Sequence, residues 1–202
     1  MHPDILYSVK ANEKLMALSD EYLLEGCLKR DDRCREALYR KYSKDLYQFA
    51  LRYASNKEEA EDVLQEAFLA IIERIGQYRK EGSLLAWMRT IVIREAICQY
   101  QRNLKRKQRE RPLSEEHPEN SEEGAVMPYD EVDYHTLLQL IQELPDGFRV
   151  VFNLCEIEGY SYQEAAEMLQ CSQATCRSQL MRAKSKLRKK IMTLEHEEQQ
   201  DK

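Results

Sequence analysis

Apolar residues recur every three or four positions along most of this chain, in blocks separated by short polar stretches. One block places Leu38, Tyr42, Leu46, Phe49 and Tyr53 at steps of four, four, three and four. This spacing puts all five on one face of an α-helix, whereas a strand requires strict alternation. Turn-forming residues are scarce, with six glycines and five prolines in 202 residues. The pattern therefore predicts an all-α fold.

The helical blocks fall into two groups, and the segment between them lacks periodicity. After a basic stretch from Lys105 to Arg111, the residues Leu113–Asp133 contain eight acidic side chains and no Lys or Arg. Such a polar, proline-containing segment is typical of a linker. We predict an N-terminal extension at 1–19, a helical domain at 20–102, an acidic flexible linker at 103–133, a second helical domain at 134–192 and a flexible tail at 193–202.

Several functional classes are disfavoured by composition and motifs. The longest uninterrupted apolar run, Ala67–Ile72, has six residues, far below the roughly 20 that span a bilayer. The six cysteines include no CxxC pair, and no histidine stands at ligand spacing from them. No nucleophile and base pair or glycine-rich phosphate loop is present. We expect a cytoplasmic protein with reduced thiols, no membrane insertion, no metal, no cofactor and no catalytic residues.

A helix-turn-helix is predicted in the second domain. Ser161 and Glu164 have the spacing of a capping box that begins a short helix ending near Leu169. Ser172 can cap the next helix after a turn of about three residues. Helix, short turn and helix is the arrangement of a helix-turn-helix.

The last helix of this unit has two contrasting faces. At 100° per residue, one face collects apolar side chains at Cys176, Leu180, Ala183, Leu187 and Ile191, and the opposite face is basic and polar. From Gln173 to Lys190 there are seven Lys or Arg and no acid, in a chain whose net charge is −5. A solvated amphipathic helix is one interpretation, but the second position in a helix-turn-helix favours DNA binding.

The residues of both domains resemble a known family. The second domain resembles region 4 of bacterial sigma factors over ELPDGFRVVFNLCEIEGYSYQEAAEMLQCSQATCRSQLMRAKSKLRKKI. The first resembles region 2 over NKEEAEDVLQEAFLAIIERI and the following Trp87 helix. A chain with only these two regions is similar to the extracytoplasmic-function group of the sigma-70 family. The resemblance implies a region 2 helical bundle joined to a region 4 helix-turn-helix, and a subunit that directs core RNA polymerase to promoters and helps to melt the minus-10 region.

The resemblance also implies partners and their contact residues. In the DVLQEAF motif, Asp62, Gln65 and Glu66 are similar to the family's docking surface for the clamp helices of the polymerase beta-prime subunit, although composition alone would suggest a solvated acidic face. The family also contacts the polymerase beta flap and commonly has an anti-sigma factor.

Contacts with the minus-10 element are implied for Tyr78, Arg79 and Lys80, in a loop that resembles the family's element for capturing an unpaired base, and for Arg94, which stands where Asn is usual. Proteins that bind single-stranded DNA use aromatic rings that stack on bases and cations that contact the backbone, and this loop offers one ring and two cations. Trp87 lies among apolar neighbours, so we expect it to pack in the core rather than stack on a base.

Contacts with the minus-35 element are expected from the basic face of the last helix. Its candidates for base contacts are Arg177, Ser178, Met181 and Arg182, and its candidates for phosphate contacts are Gln173, Thr175 and Lys184. Cys171 and Cys176 flank the turn, which suggests a redox role, but the apolar position of Cys176 favours a buried small side chain.

A second function remains open from the sequence. A stand-alone helix-turn-helix regulator would use the N-terminal bundle to sense a ligand or to dimerise. Such a regulator binds its operator without polymerase, whereas a sigma factor needs the core enzyme for tight promoter binding.

Overall fold

The computed structural model describes residues 18–110 and 134–200, with the backbone alone at 108, 110 and 195–200. Within these ranges every regular element is helical, which confirms the predicted all-α fold. The α-helices of the described chain are α1 (Asp20–Leu28), α2 (Asp32–Tyr53), α3 (Lys57–Arg74), α4 (Leu84–Glu110), α5 (Tyr134–Gln142), α6 (Asp146–Phe152), α7 (Tyr162–Leu169) and α8 (Gln173–Gln200). A 3-10 turn at Ile75–Gln77 follows α3, and a π-helical turn at Asn153–Ile157 follows α6.

The chain divides into two compact units. Of the described residues, the first unit contains those up to Ala50 together with Glu58–Glu95, and the second contains Leu51–Lys57 and those from Ala96 onward. The predicted domain limits at 102 and 134 stay a prediction. Most of the predicted linker, residues 111–133, lies outside the described residues.

The first unit buries the apolar stripes of α1, α2, α3 and the first part of α4. Leu23, Leu38, Leu46, Ile71 and Met88 are all fully buried. Because these side chains come from all four helices at the predicted spacing, they form one bundle core. Leu28, at the end of α1, is exposed.

A polar contact joins the first two helices of this unit. The Asp20 carboxylate accepts hydrogen bonds from Lys41 Nζ at 2.7 Å and from the Tyr42 hydroxyl at 2.6 Å. Burial opposes ionisation of Asp20, but the two hydrogen bonds and the charge of Lys41 outweigh it, so its pKa lies below the usual value. The ionised carboxylate therefore stabilises the packing of α1 on α2.

Helix α4 is longer than the sequence pattern predicted. It continues through the basic stretch to Glu110, although the periodic apolar pattern fades near Arg102. Lys, Arg and Gln are good helix formers, and cations near a helix C-terminus interact favourably with the helix dipole. The basic stretch is therefore part of a helix as far as residue 110.

The second unit is organised around a buried arginine. Arg149 is 3% exposed and donates hydrogen bonds to the carbonyls of Gln142 and Leu144, to the Asp146 carboxylate and to the carbonyl of Tyr53, all within this unit. A buried charge is costly unless it is paired and hydrogen-bonded, and these acceptors satisfy it. Arg149 thereby holds the end of α5 against α6, on which the helix-turn-helix packs.

Candidate nucleic-acid interface

The helix-turn-helix forms as the sequence predicts. The Ser161 hydroxyl accepts from the Glu164 amide at 3.2 Å while the Glu164 carboxylate accepts from the Ser161 amide at 2.8 Å, which confirms the capping box. The Ser161 hydroxyl also donates to the Glu164 carboxylate at 2.7 Å, and this hydrogen bond together with that from the Ser161 amide lowers the pKa of Glu164. Gln170 adopts the left-handed conformation that ends α7, and the Ser172 hydroxyl then accepts from the Thr175 amide at 3.0 Å. Two side-chain caps thus fix the turn and the beginning of α8.

The two faces of α8 are separated as predicted. The apolar stripe is buried at all five predicted positions, from Cys176 to Ile191. Among the candidate DNA contacts, the exposed residues are Gln173, Arg177, Ser178, Met181 and Lys184, and the partly buried residues are Thr175 and Arg182. The packing of the apolar stripe therefore leaves the basic face available to a partner.

The candidate base contacts have partners within the second unit. The Arg177 guanidinium carbon lies 5.5 Å from the ring centroid of Tyr162, an exposed residue at the start of α7. The Ser178 hydroxyl donates to the Thr175 carbonyl at 3.0 Å, so its oxygen remains directed outward as an acceptor. Tyr162 was not among the candidates, since a contact between two helices leaves no mark in the periodicity of either helix.

The candidate phosphate contact Lys184 forms an ion pair within the second unit. Its Nζ lies 2.7 Å from Glu156 Oε1, and both side chains are more than one third exposed. Exposed ion pairs contribute little to stability. A DNA phosphate could therefore replace Glu156 as the partner of Lys184 at low cost.

The candidate minus-10 loop follows α3 in the first unit. The Tyr78 hydroxyl donates to the Gly82 carbonyl at 2.6 Å and closes the loop. Gly82 has a φ of 97° and Lys80 a φ of 59°, both in the left-handed region. Arg79 and Lys80 are exposed, and Lys80 Nζ lies 3.2 Å from Glu21. The loop thus presents two cations beside a ring that is held in place.

Trp87 lies at the edge of the core rather than fully within it. Its side chain is only half-buried, and its ring centroid lies 5.6 Å from that of Tyr78, with the two rings tilted by 46°. The loop supplies this partner from outside the bundle, so the apolar sequence neighbours of Trp87 did not reveal it. Arg94 is exposed seven residues later, on the same face of α4. The aromatic pair thus lies beside Arg79 and Lys80, with Arg94 two turns further along the same face of α4.

The candidate docking residues lie on one stripe of α3. Asp62, Gln65 and Glu66 are exposed, and the next position on the stripe is Leu69, a leucine that is 66% exposed. An open groove of about 380 Å³ runs beside Gln65, between α2 and α3. Leu69 was missed because only the polar side chains of this face were considered as candidates.

The described residues contain no cluster of His, Cys, Asp and Glu that could hold a metal ion. None of the helices in the described part of the chain is long and apolar enough to cross a membrane.

Comparison with known proteins identifies the family. The model of sigma-70 region 2 matches residues 38–107, and the model of sigma-70 region 4 matches residues 134–187. An RNA polymerase sigma-H factor from Pseudomonas aeruginosa is 30% identical over 188 residues, which cover 87% of this chain and 95% of that protein. The chain belongs to the sigma-70 family of RNA polymerase sigma factors.

Further comparisons find similar sigma factors in other bacteria. An extracytoplasmic-function sigma-E factor from Haemophilus influenzae is 28% identical over 190 residues, covering 88% of this chain and 97% of that one. The sigma factor RpoE of Bartonella quintana, solved with the anti-sigma factor NepR, is 23% identical with a TM-score of 0.45, covering 72% of this chain and 89% of that chain.

Membership in the sigma-70 family establishes the biochemical role. The sigma factor directs RNA polymerase to specific promoters for transcription initiation, with region 4 as its DNA-binding helix-turn-helix. No finding favours the alternative of a stand-alone regulator.

Proposed function

We propose that this sigma factor reads the minus-35 element with the exposed face of α8. The observation that carries the proposal is the division of that helix into a fully packed apolar stripe and an acid-free basic face at a capped N-terminus. The N-terminal half of a recognition helix enters the major groove, where Arg177 and Arg182 can each pair with a guanine. Ser178 and Met181 lie on the same face as the two arginines. The DNA phosphates would be contacted by Gln173, Thr175 and Lys184.

The minus-10 element is assigned to the loop at 77–83 and the exposed face of α4. Arg79, Lys80 and Arg94 supply positive charge for the backbone of the melted strand. Tyr78 and Trp87 form the aromatic surface on which an unpaired base can stack. The half-buried position of Trp87 supports this assignment, because a core tryptophan would be unavailable to a base.

Core polymerase binding is assigned to the α3 stripe. Asp62, Gln65 and Glu66 offer two carboxylates and an amide beside the exposed Leu69, a mixture of charge and apolar surface that suits a protein partner. Their contact would be the beta-prime clamp helices, and the beta flap would contact the second unit. An anti-sigma factor would compete for these surfaces.

The proposed role requires no covalent chemistry by this chain, and it places the protein in the cytoplasm with the polymerase and the chromosome. We expect the sigma factor to contribute binding energy and position while the polymerase performs catalysis.

A gel shift with and without core polymerase separates the proposed function from the stand-alone regulator. The probe is a genomic fragment containing a start site used by the reconstituted enzyme. We expect a specific complex with the sigma factor and core polymerase together, and no specific complex with the sigma factor alone at the same concentration. Tight, sequence-specific binding by the sigma factor alone would favour the regulator.

A further inference from the structure

Two cysteine thiols meet at the turn of the helix-turn-helix. Cys171 lies in the turn and Cys176 in the first turn of α8, and their Sγ atoms are 3.4 Å apart. Both are free thiols. The Cys171 amide donates to the Ala166 carbonyl and the Cys176 amide donates to the Ser172 carbonyl, each at 3.1 Å. The backbone therefore holds the two sulfur atoms side by side.

The two sulfur atoms have different environments. Cys176 is fully buried, whereas Cys171 is partly exposed. Burial, together with the hydrogen bond and charge of Cys171, raises the pKa of Cys176 to about 12. Cys176 therefore stays protonated at neutral pH, and the two sulfur atoms are close enough to share an S–H hydrogen bond. Cys171 is the sulfur that an oxidant from solution can reach.

We propose that Cys171 and Cys176 form a reversible disulfide when a hydroperoxide oxidises Cys171, and that this bond weakens minus-35 recognition. The second half of the proposal rests on the proposed function of α8. It assigns a modification site to a pair of side chains that DNA binding itself does not use.

The chemistry needs one hydroperoxide per disulfide. The Cys171 thiolate attacks an oxygen of the hydroperoxide, the O–O bond breaks, and the leaving oxygen takes a proton to give water or an alcohol. The resulting Cys171 sulfenic acid is attacked by the Cys176 sulfur, which forms the S–S bond and releases a second product, water, that carries the Cys176 proton. Two thiols are oxidised, the peroxide is reduced, and a dithiol reductant restores the starting state.

Bond formation must draw the two sulfur atoms together, by side-chain rotation and by displacement of the recognition helix relative to its turn. A disulfide has an S–S distance of about 2.05 Å, so the sulfurs, now 3.4 Å apart, must approach by more than 1 Å. Cys176 is packed with Leu180 in a close-packed core that transmits such displacements. Arg177 and Ser178 follow it directly in α8, so the shift reaches the proposed base contacts.

The bond itself is tested by mass spectrometry on the full-length protein. Reduced protein is treated with hydrogen peroxide, alkylated and digested with a glutamate-specific protease. Cleavage after Glu167 separates Cys155 from the pair, because the peptide starting at Met168 contains Cys171 and Cys176 as its cysteines. We expect this peptide to be two hydrogens lighter and unalkylated after oxidation, and to recover both thiols with dithiothreitol.

The functional consequence is tested with holoenzyme. The sigma factor is oxidised, freed of peroxide and mixed with core polymerase, and its binding to a promoter fragment is compared with that of the reduced form. We expect binding on the order of tenfold weaker, equivalent to losing about one base contact. Cys171→Ser should abolish the response, while the matched control Cys98→Ser, an exposed cysteine of α4, should respond like the wild type.

Two results would overturn the proposal. One is a fully alkylated Cys171 and Cys176 peptide under conditions that oxidise the other thiols. The other is an oxidised protein that carries the bond and binds promoters as tightly as the reduced form. If the reduced holoenzyme selects no promoter, both the proposed function and the predicted loss of minus-35 recognition are contradicted. The peptide mass would still show whether the disulfide forms.

Discussion

The guanidinium of Arg177 lies over the ring of Tyr162, with 5.5 Å between the guanidinium carbon and the ring centroid. The two residues belong to consecutive helices of the helix-turn-helix, and both are exposed. A cation over an aromatic face within about 6 Å is attracted by about 0.5–1 kcal/mol at an exposed site. The ring therefore favours one orientation of Arg177 at the end of α8 that we propose enters the major groove.

Replacing Tyr162 should change sequence preference through Arg177. We expect Tyr162→Ala to reduce the preference at one minus-35 position by about two- to fivefold, the equivalent of the lost cation–π attraction. Tyr162→Phe keeps the ring and should keep the preference. Both variants are scored as holoenzymes against a library of randomised minus-35 elements, with Arg177→Ala to identify the position. Equal losses in the Phe and Ala variants would show that the hydroxyl, not the ring, matters.

The ion pair between Lys184 and Glu156 gives a second prediction. Lys184→Ala should weaken promoter binding nearly uniformly over all sequences and reduce its salt dependence by about one phosphate contact. Glu156→Gln removes the competing carboxylate and should tighten binding slightly. Titrations of holoenzyme with promoter DNA over a range of salt concentrations measure both effects. A salt dependence unchanged in Lys184→Ala would remove Lys184 from the phosphate contacts.

The α3 stripe predicts specific losses of polymerase binding. Glu66→Lys should weaken binding to core polymerase by about tenfold or more, because it replaces a negative charge with a positive one at the proposed contact with the beta-prime clamp helices. Leu69→Ala should weaken it by about fivefold through lost apolar contact. Co-purification measures binding, and circular dichroism verifies the fold. Glu25→Lys, at an exposed acid on α1, is the matched control, and losses as large in that variant would mean that net charge alone accounts for the effect.

The loop after α3 predicts a defect in promoter melting. Arg79→Ala with Lys80→Ala removes two exposed cations and should slow open-complex formation on duplex promoters by about tenfold or more. A promoter with a pre-melted minus-10 bubble should largely rescue the variant, since melting is then complete in advance. Permanganate footprinting reports the unpaired thymines. Normal melting of duplex promoters by this variant would exclude the loop from the minus-10 contact.

Acid should destabilise the second unit through Asp146. Burial opposes the ionisation of this carboxyl, but the hydrogen bond from Lys107 and the charges of Arg149 and Lys107 outweigh it and lower its pKa. The folded pKa is thus below the unfolded value of about 3.9, so the carboxylate stabilises the fold at neutral pH and this contribution is lost as the pH falls through the folded pKa. Thermal unfolding of Asp146→Asn should show a lower Tm at neutral pH and a smaller loss of Tm in acid. An acid dependence equal to that of the wild type would contradict this.

The parts of the fold that follow from local rules were predictable from the sequence. The buried stripe of α8 follows from helical periodicity, and the Ser161 capping box follows from the spacing of a serine and a glutamate. Both depend on residues within one helix, so the sequence contains all the information that they require.

Features that join separate elements were not predictable in the same way. The contact of Trp87 with Tyr78 was missed because Tyr78 belongs to a loop, and Tyr162 was overlooked because it contacts the next helix. Leu69 is apolar and yet exposed, since the bundle core is already filled by its neighbours on α3. The extension of α4 through Lys107 depends on helix propensity and on an ion pair with Asp146, which apolar periodicity does not report.

Run-off transcription with purified core polymerase tests the central claim most directly. Genomic fragments are transcribed with core polymerase alone, with the sigma factor added, and with the Arg177→Ala sigma factor added, and the start sites are mapped. We predict a discrete set of start sites that depends on the sigma factor and shares minus-35 and minus-10 sequences, with altered minus-35 preference in the variant. Transcripts identical to those of core polymerase alone would contradict the account.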